Sequence, residues 1–480
     1  MNTQIFMNQE LIQYLQKQIS TTDSRLRIFT HAPDGAKHPK RFLYAKLQKY
    51  INDFLEKKSS NRMVIMPGFR GVGKTTLMAQ LCAELKRKKV EVLFLSVEDL
   101  RNYFEAGVSE IALAYEQIIG GDLENLEKPV VIFLDEVQTD PNWAVALKLL
   151  FEKTNKVFFC VTGSSAIDLQ STPDIARRAL FEPMTPMSFG EYQMIKNKLE
   201  SPVGLGEKIR QAIYFSKTVE EIFAELSMLS GEVNSYWAKI DRHDIKKYLA
   251  YGTFPFAQIM PDEISIYNTI SALLEKIIKQ DIPKLGNFDQ ETLGVVKRIL
   301  FAIAENDITS LTTLADKFKL NRLTLANIFE VLEKAQLLIK IPPHGSNMTI
   351  ANKANKYLFM SPAIRMSFFY FSGNEGTYLT RQGKLLEDSI GVHLYREFIV
   401  KGAGIIRYDS AQGGADFVLQ IGNAKKIVIE VGLGNKDKKQ VMATMKKIKS
   451  DYGIIFSSTP LAFDEVTKVI NIPLDYYFLM

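Results

Sequence analysis

The sequence predicts an α/β chain built on a parallel sheet, and three stretches carry that expectation. Met63-Val64-Ile65-Met66-Pro67 is an apolar run followed directly by a glycine loop and a helix-forming segment. Lys128–Glu136 is continuously apolar from Val130 and ends in two carboxylates, the pattern of a strand buried on both faces. Val157–Thr162 is a third apolar run and leads into Gly163-Ser164-Ser165.

The loop Gly68-Phe69-Arg70-Gly71-Val72-Gly73-Lys74-Thr75-Thr76 reads as a P-loop. Its glycines let backbone N–H groups approach phosphate oxygens, and the helix N-terminus adds positive partial charge. Lys74 is then placed to reach the β- and γ-phosphates and Thr75 to ligate Mg²⁺, so ATP and Mg²⁺ are the expected cofactors. The acids closing the second run form a Walker B pattern. Asp135 would hold Mg²⁺ through its water shell, and Glu136 would orient and deprotonate the attacking water. In P-loop proteins with such an acidic pair the next strand lies between the other two, which makes Thr162 and Ser164 the candidates for sensing the γ-phosphate. Arg177 and Arg178 close the helix-like Asp174–Ala179. AAA+ ATPases place an arginine finger at such a helix end, reaching a neighbouring subunit, so a homo-oligomer is expected. The competing reading is a solvated helix end whose cations suit the macrodipole.

At 480 residues the chain is too long for one core and suggests about three or four units. Its two cysteines, Cys82 and Cys160, fall in a helix and a strand, which excludes a disulfide framework or zinc site. Five scattered histidines offer no ligand spacing, leaving nucleotide-bound Mg²⁺ as the main metal expected. The N-terminus lacks a basic region followed by an apolar stretch, and no run is long enough to span a bilayer, so a cytoplasmic chain with no membrane partner is expected. The net charge of +6 gathers around Lys37, Lys40, Arg41, Lys46 and Lys49, and again from Lys436 to Lys449. Such stripes suit DNA or RNA, or are solvated helix faces.

Residues 1–40 read as an N-terminal extension and 41–200 as the P-loop ATPase domain, with Arg41 and Tyr44 as candidates for flanking adenine. Glycine and proline in Ser201–Gly206 mark a break. Residues 201–288 read as a helical lid and 289–378 as a winged helix. In the latter an amphipathic helix from Leu293 is followed by Leu311–Phe318 and Asn321–Phe329, then by wing strands at Leu338–Pro343 and Lys356–Phe359. Asn321 is a good N-cap for the second helix of the pair. Residues 379–480 run helix, three strands, helix, strand. This is the order of a PD-(D/E)XK nuclease core, in which carboxylates gather Mg²⁺ and a lysine positions the attacking water. Asp416 and Glu430 match its acids, and Glu387 adds one from the helix. The lysine expected two residues after Glu430 is Gly432.

These motifs resemble a family of bacterial and archaeal AAA+-like ATPases, related to the STAND-type NTPases, that join a P-loop domain to a winged helix and a PD-(D/E)XK nuclease-like domain. The resemblance rests on Gly71–Leu77, Leu134–Gln138, Thr162–Ser165, Pro186–Glu191, Ala415–Leu419 and Ile429–Val431, and covers nearly the whole chain after residue 40. It implies ATP hydrolysis and little about biological purpose; the first reading of the chain is an ATPase that uses nucleotide turnover to remodel or switch an assembly, with nucleic acid as one such setting. The alternatives are an ATP-gated nuclease, which needs a substitute lysine, and a nucleotide-gated scaffold with little turnover, against which Glu136 argues.

Overall fold

The computed structural model describes residues 2–163, 173–306, 308–372, 377–422, 425–434 and 437–480. Its internal contacts divide the chain into two compact units, Met1–Thr185 and Pro186–Met480. The division falls earlier than the glycine- and proline-rich break at 201–206. Among the described residues no helix is long and apolar enough to cross a membrane.

The first unit runs α1 Asn2–Ser20, α2 Thr22–Thr30, α3 Leu43–Leu55, β1 Met63–Pro67, α4 Lys74–Arg87, β2 Glu91–Ser96, α5 Val97–Phe104, α6 Val108–Ile119, β3 Val130–Asp135, α7 Trp143–Lys153, β4 Val157–Gly163 and β5 Leu180–Phe181. The strands form one sheet in the order β2-β3-β4-β1-β5, and all their pairings are parallel. As expected, β4 lies between the other two apolar strands, with Ile65 opposite Val161 and Phe133 opposite Cys160. Every residue of β1, β3 and β4 is buried. Helices cover both faces of such a sheet, which is why these strands read as unbroken apolar runs rather than alternating ones. Residues read as an N-terminal extension belong to this core: Leu11 and Leu15 of α1 join Leu93, Leu95 and Ile111 in one cluster.

The second unit contains two sheets. Strands β6 Ile308–Thr309, β7 Leu338–Ile341 and β8 Asn355–Phe359 form an antiparallel sheet in the order β6-β8-β7. Its first strand lies between the helices Gln290–Glu305 and Leu311–Phe318, and its other two follow the helix Arg322–Lys334. That last helix is capped as expected, because the Asn321 side chain accepts from Thr324 N at 2.7 Å. The other sheet comprises β9 Gly404–Arg407, β10 Phe417–Ile421, β11 Lys425–Val431, β12 Tyr452–Ser457, β13 Ala462–Asp464 and β14 Val469–Pro473, in the order β13-β14-β12-β11-β10-β9. Strands β9, β10 and β11 are an antiparallel meander, and β12 returns parallel to β11 after the helix Lys439–Ile448.

Helices Leu205–Phe215 and Val219–Trp237, expected as part of a lid, pack against this six-stranded sheet. Buried aromatics hold them there. Tyr452 donates its hydroxyl to Ile213 O at 2.8 Å and Tyr476 to Leu226 O at 3.0 Å, while the Trp237 indole donates to Asp475 O at 3.0 Å. Phe223 and Phe463 add a ring contact at 5.0 Å. Each polar tip finds a carbonyl while its ring displaces water, the usual way a buried Tyr or Trp is satisfied.

Candidate nucleotide site

The loop after β1 can be built only with glycine at three places. A Cβ on Gly68 would lie 2.3 Å from Met184 O, so close approach of the β5 side of the sheet requires its absence. Gly71 and Gly73 have φ of 82° and 96°, the left-handed region that side chains disfavour. Phe69, Arg70 and Val72 are buried, so these positions offer the cradle their backbone rather than their side chains. Arg41, itself buried, donates to Val72 O at 2.9 Å and to Thr185 O at 3.0 Å. It braces the loop against the end of the unit, and Tyr44 donates its hydroxyl to Glu84 of α4.

Helix α4 starts at Lys74, whose Nζ donates to Gly68 O at 2.8 Å and Phe69 O at 3.1 Å. Thr75 and Thr76 are half-buried in its first turn. The Thr75 hydroxyl donates to Asp135 Oδ2 at 2.6 Å, and Thr162 donates to the other oxygen of the same carboxylate. Glu136 N in turn donates to Thr162 Oγ1 at 3.2 Å. Parallel register thus joins the first turn of α4, the end of β3 and the end of β4 through one acid. Burial raises the pKa of Asp135, and the neighbouring Glu136 charge raises it further. The Thr162 and Thr75 hydrogen bonds and the Lys74 charge oppose this without cancelling it. An added cation at this carboxylate is therefore electrostatically favoured. Glu136 sits at φ 56°, an uncommon conformation for a residue with a side chain. Gln138 Nε2 donates to its Oε2 at 2.5 Å, a contact that no local sequence signal marks. Ser164 lies outside the described residues.

The two candidate finger arginines part company. Arg178 pairs with Glu152 and donates to Asp174 O at 2.7 Å, so it braces its own unit. Arg177 is exposed.

In the second unit Glu387 and Asp416 meet at an ammonium, and Glu430 is linked to them through the backbone of Asp416. Lys356 of β8 pairs with Glu387 and lies 3.5 Å from Asp416 Oδ1. Asp416 N donates to Glu430 Oε2 at 3.3 Å. Among the described residues no group of three or more His, Cys, Asp or Glu side chains is arranged to hold a metal ion. Gly432, in the place of the expected lysine, donates its N to Phe456 O at 3.0 Å. Long-range pairing of this kind leaves no trace in local spacing, so Lys356 read only as a strand residue.

Much of the two basic clusters is neutralised internally. Lys40 pairs with Glu84 at 2.9 Å, Lys46 with Glu182 at 2.7 Å, Lys438 with Asp464 at 3.1 Å and Lys447 with Asp409 at 2.6 Å. Lys436 lies outside the described residues.

Comparison with known proteins places this geometry. Residues 60–193 match a family model described as an AAA domain, and this part of the chain has the P-loop AAA+ fold. Residues 242–375 match a model described as a domain of unknown function, DUF8612. The uncharacterized protein MJ1637 of Methanocaldococcus jannaschii is 34% identical over 433 residues, covering 87% of this chain and 85% of that protein. Among solved structures, a point variant of RuvB from Thermotoga maritima aligns at 16% identity over 64% of this chain and 93% of that one, with a TM-score of 0.29. AMPPCP-bound DnaA from Aquifex aeolicus aligns at 15% identity over 61% and 88%, with a TM-score of 0.26.

Proposed function

The chain belongs to the same family as MJ1637 of Methanocaldococcus jannaschii, and from that premise we propose that it is a Mg²⁺-dependent ATPase working as a remodelling or switching module. The observation that carries the reading is the single carboxylate, Asp135, hydrogen-bonded at once by Thr75 of the P-loop helix and Thr162 of the sensor strand.

The residues fit the absent nucleotide and metal. The positive-φ glycines and the first turn of α4 supply N–H groups for phosphate oxygens, and Thr75 with Asp135 offers oxygen ligands to a hard cation. Mg²⁺ with ATP, when bound, supplies the transferable phosphoryl group and the charge that neutralises it. Lys74 exchanges its two carbonyl partners for phosphate oxygens. Glu136, steered by its left-handed backbone and by Gln138, orients the attacking water and takes its proton. Thr162 couples the state of Asp135 to the backbone N–H of Glu136, so it can report the γ-phosphate to the base. Arg177 is the better candidate for stabilising charge in a neighbouring subunit.

The element orders of the second unit support two further assignments: a winged helix over residues 289–378 and a PD-(D/E)XK-like fold over 379–480. The latter acts here as a platform rather than a nuclease, since Lys356 pairs with Asp416 and Glu387, and Lys447 of its basic helix pairs with Asp409.

The test is turnover and nucleotide binding measured together, with and without DNA and RNA. Lys74→Ala should lose tight ATP binding. Glu136→Gln should bind ATP and turn it over about 10²-fold or more slowly, because only proton abstraction is removed. Wild-type turnover in Glu136→Gln would remove that residue from the mechanism.

A further inference from the structure

The ammonium of Lys356 is held among groups from separate segments. It pairs with Glu387 of the helix Thr377–Leu394, stands 3.5 Å from Asp416 Oδ1 and donates to Asp416 O at 3.4 Å. The Phe417 ring centroid is 5.1 Å away. The Lys356 side chain is 3% exposed, a depth at which an ammonium loses its hydration and persists only where carboxylates replace it. Its backbone is fixed as well. Lys356 lies on the middle strand, opposite Ile308 on one side and Ile341 on the other. The strand segment is tied down by Tyr408, whose hydroxyl donates to Ala354 O at 2.5 Å and whose N donates to Pro342 O at 3.2 Å. Asp416 and Glu430 are engaged by the backbone too. Asp416 Oδ2 accepts from Val431 N at 3.0 Å, and Glu430 Oε2 accepts from Asp416 N at 3.3 Å.

We propose that Lys356 is a built-in cation: its ammonium takes the place between Glu387 and Asp416 that a divalent metal would take, so the carboxylate cluster is neutralised by the protein and locks the three-stranded sheet to the six-stranded one. Strand β11 needs no lysine of its own at position 432, because charge balance arrives from β8. Like-charge repulsion at a few ångströms keeps a divalent cation out while the ammonium is there. Lys356→Met removes the charge but keeps an apolar stem of similar length. It leaves clustered carboxylates that suit a hard cation with oxygen ligands.

The experiment is a nucleotide-free Mn²⁺ titration of the full chain, followed by calorimetry and thermal melting, with Asp416→Asn and Glu430→Gln as controls. Because no nucleotide is present, its outcome is separate from that of the ATPase reading. The wild type should show no Mn²⁺ binding that depends on Asp416 or Glu430 and no DNA cutting with Mn²⁺. Lys356→Met should bind one Mn²⁺ and melt higher in its presence, and adding Asp416→Asn should abolish both effects. A folded Lys356→Met protein indifferent to Mn²⁺ overturns the proposal. So does Mn²⁺ binding by the wild type that vanishes in Asp416→Asn. Wild-type cutting lost in both Lys356→Met and Asp416→Asn also overturns it, and makes Lys356 the lysine of a working nuclease. If Lys356→Met does not fold, the comparison of wild type with Asp416→Asn and Glu430→Gln decides alone.

Discussion

Arg365 and Asp388 form an ion pair in which neither side chain has any solvent exposure. Nε donates to Oδ2 at 2.6 Å and Nη2 to Oδ1 at 2.8 Å, while Nη1 donates to Ile303 O at 3.2 Å and Ala304 O at 2.9 Å. Asp388 Oδ1 also accepts from Phe359 N at 3.0 Å. One guanidinium thus ties the helices Pro362–Phe371, Thr377–Leu394 and Gln290–Glu305 to β8. Glu387, next to Asp388, faces Lys356, so adjacent acids on one helix serve two buried cations.

Removing one partner strands an uncompensated charge in the interior, which costs about 3–5 kcal/mol. Arg365→Met should therefore lower the denaturation midpoint of the transition that includes these helices far more than any surface substitution does. The double variant Arg365→Met, Asp388→Leu should recover much of the loss, because no charge is left buried. Denaturant unfolding of the full chain followed by tryptophan fluorescence checks this through Trp237. A double variant no better than the single would mean that the backbone carbonyls, not the charge pair, carry the effect.

Gly73 sets the entry to α4 at φ 96°, where a side chain costs roughly 1–2 kcal/mol. Gly73→Ala should either twist the loop out of its cradle conformation or strain it in place. Either route weakens nucleotide affinity about tenfold or more, since 1.4 kcal/mol is a factor of ten. Titration with a fluorescent ATP analogue measures it. Gly120→Ala has a similar φ of 67° with open space around it, and should leave affinity unchanged.

The first unit was legible where burial on both faces leaves continuous apolar runs, so β1, β3, β4 and the loop between β1 and α4 all stand out in the sequence. Strand β2 did not, because Glu91 and Ser96 bracket a short apolar segment that is equally good helix material. Strand β6, only Ile308–Thr309, is too short for any periodicity. Asp135 and Glu136 announce themselves by lying at the end of an apolar run. Gln138 and Arg41 do not, since their roles depend on which backbone or carboxylate the fold brings within reach. Lys356 is the clearest case of this kind: Asp416 is 60 residues away in sequence.

His393 should make the second unit acid-sensitive. Its ring lies between Tyr214, with centroids 5.9 Å apart, and Tyr477 at 5.8 Å. Burial pushes its pKa down to about 3, and Arg396 adds to the fall together with Arg210 and Lys401, against a smaller opposing effect of Glu397. The folded state thus holds the ring neutral where the unfolded chain, near the ordinary 6.5, takes a proton. The stability this contributes is complete above about pH 6.5 and is lost as pH falls from there toward 3. His393→Phe should flatten the decline of melting temperature between pH 7 and pH 5. An identical slope in the variant would assign the decline to other groups, among them His344, whose pKa burial also lowers.

Arg177 and Arg178 give opposite expectations for neighbouring cations. Arg178 is held by Glu152 and Asp174 within its own unit, so Arg178→Ala should cost a little stability, within about 1 kcal/mol for so exposed a pair. Arg177 is exposed, and Arg177→Ala should leave melting unchanged. If Arg177 completes a neighbour's nucleotide site, the variant nevertheless loses turnover, and full activity requires self-association, as closed homo-oligomers with shared sites do. Mixing decides between these possibilities. Arg177→Ala protein has an intact P-loop but lacks the finger, and Lys74→Ala protein has the finger but cannot hold ATP. Together they should regain activity that neither shows alone, and wild-type specific activity should rise with concentration. A monomer whose specific activity is independent of concentration, with no rescue on mixing, would make Arg177 a solvated helix end and nothing more.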